Sequence, residues 1–256
     1  METLHLQQLL IAGLCTGVRI GGLMLFAPFF SSETISAPVK AGLTLVLTAL
    51  LYPVFSPVQL DLGETDLVLV VGGEMLIGLA LGLTMQFVLD AAQAAGQFIG
   101  TQAGFSLVTL LDPQSQADSP VLAVFAQLTV LLIFLALDVH HWILRGLAAS
   151  FIYLPPGRAV LGLRSSGDLL RMAGGIWLMG LQIAAPVLAL TLLVDLALGF
   201  LARVSPQFPI LFIGISIKAT LGIATLAISL RFWPQLFGNY FLAALNHGQR
   251  LLHWAR

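Results

Sequence analysis

The chain has 256 residues, of which 58% are hydrophobic and 9% are Asp, Glu, Lys or Arg, with a formal net charge of −1. Soluble domains carry about 25% charged residues, so this composition places the chain in a membrane. The absence of a long basic block excludes a nucleic-acid surface, and the single cysteine, Cys15, excludes an intrachain disulfide and any multi-cysteine metal site.

Charged and turn-forming residues divide the chain into six apolar segments, each to be compared with the ~20 residues that cross a bilayer. The first, Leu6 to Phe30, contains Arg19 and has no basic residue before it. A cleavable signal peptide is therefore not expected, and the segment is read as retained. Pro38 and Lys40 open the second segment, Ala41 to Phe55, and an acidic loop with Asp61, Glu64 and Asp66 follows. Leu67 to Leu111 then holds only two charges, Glu74 and Asp90, and no proline. As one helix it would measure roughly 65 Å, about twice the hydrocarbon thickness, so it must either protrude or break where Gly and Ala accumulate. Within it Ala92, Gly96, Gly100 and Gly104 recur every four residues, a small-residue stripe that permits close helix packing.

Residues 104–120 begin apolar (Gly104, Phe105, Ser106, Leu107, Val108, Thr109, Leu110, Leu111), turn at Asp112–Pro113 and end polar at Pro120. A loop this apolar is costly in water but suits the interior of an assembly. The fourth segment, Val121 to Leu144, carries Asp138, His140 and His141 near its end, and residues 145–171 form a hydrophilic connector with four arginines. The fifth, Met172 to Ala202, has Pro186 as an expected kink and Asp195 near its end. A turn around Pro206 leads into the sixth, Ile210 to Leu230, which contains Lys218 and pairs with the fifth as a hairpin. The tail, 233–256, is amphipathic and aromatic and reads as an interfacial helix. Counting Lys and Arg across six spans puts both termini in the cytoplasm.

Arg19, Glu74, Asp90, Asp138, Asp195 and Lys218 lie in or beside apolar runs. A lone charge at the bilayer centre costs about 2.5–3.5 kcal/mol on insertion scales, so these groups need partners or a polar path. Arg19 with Glu74, and Asp195 with Lys218, are candidate interhelical pairs; a proton or ion relay is the alternative. Adjacent helical histidines point about 100° apart and do not match the i, i+4 zinc arrangement, so no metal site is assigned to Asp138, His140 and His141. No phosphate-binding, dinucleotide or nucleophile-elbow motif is present, so neither an enzyme nor a cofactor is expected.

Over essentially its whole length the chain resembles the FliR family, the export-gate subunits of flagellar type III secretion and their injectisome counterparts. The resemblance rests on Arg19 with Pro28, Lys40 after Pro38, Gly73-Glu74 with Gly78, the FSLVTLLDP run ending at Asp112–Pro113, and the His140 region. It continues through Pro155–Gly157, Pro186, Asp195, Arg203 with Pro206-Gln207, and Lys218. It implies an all-α membrane fold with a FliP-like part, residues 1–144, and a FliQ-like hairpin, residues 172–232. It also implies FliP-, FliQ- and FlhB-type partners, a conduit for unfolded flagellar subunits, and an inner-membrane, flagellar basal-body location largely on the periplasmic side of the bilayer once assembled. In the family the loop at 104–120 plugs the channel. The flagellar form of that loop is favoured over the injectisome form. An ion or small-molecule transporter using the buried carboxylates is the competing function.

Overall fold

The computed structural model describes residues 2–31, 35–55, 64–105, 121–157, 163–205, 207 and 210–254. Among them every regular element is helical: α1 (Glu2–Phe26), α2 (Ala37–Phe55), α3 (Glu64–Gln102), α4 (Val121–Ala136), α5 (Val139–Tyr153), α6 (Leu163–Val204), α7 (Ile210–Ser229), a 3-10 turn (Leu230–Phe232) and α8 (Trp233–Trp254). Among the described residues five helical stretches are long and apolar enough to cross a membrane, or six if α4 and α5 form one interrupted span. The chain is thus an all-α membrane protein, as its composition predicts.

The third segment resolves the choice between protrusion and breakage. α3 is one uninterrupted helix of 39 residues, about 58 Å long at 1.5 Å per residue. Its interior lacks proline and is rich in Leu, Ala, Met and Gln, all good helix formers. It stops at Gly104, whose φ of 87° is the left-handed conformation that glycine adopts without penalty. The Gly104 N–H donates to the Thr101 carbonyl at 3.2 Å and the Phe105 N–H to the Gly100 carbonyl at 2.9 Å. These two bonds form a Schellman cap and satisfy carbonyls that the helix end leaves open.

Two expectations need revision. Residues 145–171 are not a continuous hydrophilic connector: α5 runs on to Tyr153, and α6 begins at Leu163. The arginines obscured an apolar face, for Gly146, Leu147, Ser150 and Phe151 in this stretch are all buried. The second revision concerns the tail. Trp233, Phe237, Phe241, Ala244 and Gly248, spaced three or four apart, are buried against protein, so α8 does not offer that stripe to lipid. Trp233 and Phe237 meet edge to face at 5.5 Å, and Gly248 lies against Leu81 and Thr84 of α3. Pro186 sits inside α6, which continues through it to 42 residues.

The chain forms two compact units, each built from separated stretches of sequence. One comprises residues 1–88, 138–173 and 239–256, the other residues 89–137 and 174–238. The boundary falls inside α3, α6 and α8, because each of these helices contributes residues to both. Ile20, Leu23, Ile77 and Leu147 are buried in the first unit, and Ile99, Val130, Phe134 and Val187 in the second.

Candidate functional site

In the first unit the lone charges of α1 and α3 meet. Arg19 Nε–H donates to Glu74 Oε2 at 2.6 Å, and neither side chain is exposed at all. The other carboxylate oxygen, Oε1, accepts the backbone N–H of Gly157 at 2.8 Å. Arg19 Nη1 donates to Ser150 Oγ at 3.2 Å, and the guanidinium carbon lies 4.5 Å from the centroid of the Phe151 ring. Arg19 Nη2 has no hydrogen-bond partner among the described residues. Both oxygens of Glu74 are engaged by donors, one from a guanidinium and one from a backbone amide. Gly157 reaches it through a φ of 90° at the end of the Pro155-Pro156-Gly157 turn.

This pairing depends on a close approach of α1 and α3. A Cβ at Gly78 would collide with the carbonyl oxygen of Arg19. One at Gly22 would come within 2.6 Å of the Met75 oxygen, and one at Gly82 within 2.9 Å of the Leu23 oxygen. Three glycines therefore let the two backbones touch, as packing without a hydrophobic driving force requires. Sequence reasoning missed Gly22 and Gly82, although Gly78 and Gly82 carry the readable four-residue spacing. Ser150, Phe151 and Gly157 carried no such signal.

The second unit holds the other pair. Lys218 Nζ on α7 contacts Asp195 Oδ1 on α6, and Gln102 Nε2 at the end of α3 donates to Asp195 Oδ2 at 3.0 Å. This node is wetter than the first, with Lys218 23% and Asp195 37% exposed. Of the small-residue stripe, Ala92 is buried, and Gly96 lies against the backbone of Leu122 and Ala123 on α4. Gly104 forms part of the cap. Asp90 is half-buried on α3. Among the described residues Asp138 pairs with no lysine or arginine, and its carboxylate faces His140 and His141 at the start of α5. Ser106 to Pro113, the rest of the expected plug, lies outside the described residues.

The model of the family described as bacterial export proteins, family 1, matches residues 10–244. Three proteins named flagellar biosynthetic protein FliR align over most of their length. That of Pectobacterium carotovorum subsp. carotovorum is 36% identical over 88% of this chain and 86% of its own. That of Escherichia coli K12 is 35% identical, over 82% and 80% respectively. The Bacillus subtilis 168 protein is 30% identical over 92% of each. This chain belongs to the FliR family of bacterial export proteins. The family match spans both charged nodes, the α1–α3 glycine crossing and residues 104–120.

Proposed function

We propose that this chain is a structural and gating subunit of the flagellar protein-export apparatus in the bacterial inner membrane. The family match over residues 10–244 carries this reading. In that role it assembles with FliP-, FliQ- and FlhB-type partners around the passage for unfolded flagellar subunits, partly on the periplasmic side. Residues 104–113 act as the plug: Gly104, Phe105, Ser106, Leu107, Val108, Thr109, Leu110, Leu111, Asp112 and Pro113.

Physical features support partners and a plug. None of the residues between Ala37 and Val54 on α2 is buried by the rest of the chain, although the stretch is apolar. Gly42, Gly72, Gly174, Gly175 and Gly199 have open space where a side chain would stand. Apolar helices with unfilled glycine positions suit close packing by other subunits. The capped end of α3 gives the apolar loop a fixed root, and a greasy tip in a narrow pore excludes water and ions by dewetting.

The transporter reading needs carboxylates free to exchange protons or ions. Glu74 and Asp195 each have both oxygens occupied, which favours a structural role for these pairs. Deleting residues 106–111 is expected to leave assembly intact and to make cells or liposomes bearing the complex leak ions. Unchanged conductance, measured by planar-bilayer recording, would remove the plug.

A further inference from the structure

Asp138, Val139, His140 and His141 begin α5, and regular helical geometry would splay the two imidazoles apart. They are not splayed. Their ring centroids are 4.1 Å apart with 39° between the planes. Asp138 enters the helix with φ 54° and ψ 29°, and its side chain makes no capping hydrogen bond. An aspartate at this position ordinarily turns its carboxylate onto the N–H of the second or third helical residue. Here the backbone supplies the cap contact, with the His141 N–H donating to the Asp138 carbonyl at 2.9 Å. The carboxylate is thereby left facing the imidazoles: Asp138 Oδ1 is 3.5 Å from His141 Nδ1 and 3.9 Å from His140 Nε2.

The donor atoms of all three residues lie within 4.8 Å of one another. An ion with bonds of about 2.0–2.2 Å holds neighbouring donors roughly 3.0–3.5 Å apart, so closure needs only small rotations of partly exposed side chains. Two imidazole nitrogens and one carboxylate oxygen suit Zn²⁺ and its first-row neighbours, not the all-oxygen shells of Ca²⁺ or Mg²⁺. His141 and Asp138 are mostly exposed, leaving room for water to complete the shell. The exposed anion would also be neutralised, which matters in a chain so poor in charge.

We propose that Asp138, His140 and His141 form a binding site for a divalent first-row transition ion, with Zn²⁺ as its representative. The ion ties the residue that opens α5 to the first helical turn. This does not depend on the export role.

The test uses the full-length chain, carrying a purification tag without histidine and recovered in detergent with whatever subunits accompany it. After stripping with chelator it is titrated with Zn²⁺ against a chromophoric competitor, and separately with Co²⁺ to read its visible absorption. The wild type is expected to take up one more Zn²⁺ per chain than His140→Gln/His141→Gln. Asp138→Asn, which removes a direct anionic ligand, should weaken that uptake by at least the factor of about 10 that loss of an outer-shell partner costs. His247→Gln/His253→Gln should bind as the wild type does, and equal recovery with matching circular dichroism excludes misfolding as the cause. Equal Zn²⁺ uptake by the wild type and the 140/141 variant would overturn the site. So would a Co²⁺ spectrum unchanged by Asp138→Asn.

Discussion

Arg19 and Glu74 show how a single residue pair can fix a membrane helix contact. Each ion is completely buried, so removing one strands the other in a medium that cannot solvate it. Breaking such a pair costs about 3–5 kcal/mol, whereas replacing both ions by apolar groups is often close to neutral. Glu74→Leu is therefore expected to abolish recovery of the assembled protein, and Arg19→Leu/Glu74→Leu to restore part of it, read from membrane levels and thermal unfolding. Lys218→Leu should reduce assembly less, because its node admits water. If Glu74→Leu assembled normally and only proton-dependent export fell, the carboxylate would be acting as a relay. The candidate pairs were legible because a lone charge in an apolar run has to find a partner. Ser150 and Gly157 were not: a serine and a glycine after two prolines look ordinary until the fold brings them to Arg19 and Glu74.

Among the helices, glycine decides which backbones touch. Gly78→Ala would push a methyl into the Arg19 carbonyl, and overpacking of this kind typically costs about 1–3 kcal/mol. Gly174→Ala meets nothing among the described residues, so any loss it causes should appear in partner recovery and not in packing within the chain. Comparing their thermal melts and co-purification yields separates internal from intersubunit packing. Gly104→Ala acts differently, by imposing a left-handed backbone on an L side chain at about 1–2 kcal/mol. It should fray the end of α3, seen as faster amide exchange at residues 100–105. The number and apolar character of the spans were readable from hydropathy. The burial of the α8 aromatic stripe was not, because the same periodicity serves equally for a lipid-facing helix and for one packed on protein.

For the whole molecule, compactness is built from stretches far apart in the sequence. α3, α6 and α8 each belong to both units, so no single cut in the sequence separates them. Expressing residues 1–144 or 172–232 alone should accordingly give unstable fragments, checked by pulse-chase degradation against the full chain. The full chain in turn should be stable only with its partners, since α2 and the open glycines of α6 leave apolar surface uncovered. Recovery of a long-lived monomer from membranes would contradict this.

The cap at Gly104 and the start of α4 at Val121 have one more consequence for the stretch they bracket. Sixteen residues tethered at both ends can reach no more than roughly 25–30 Å from their anchors. If residues 104–113 are the proposed plug, that plug is captive: after each passage it would return by an intramolecular step, at a rate set by tether length and indifferent to how much protein the cell contains.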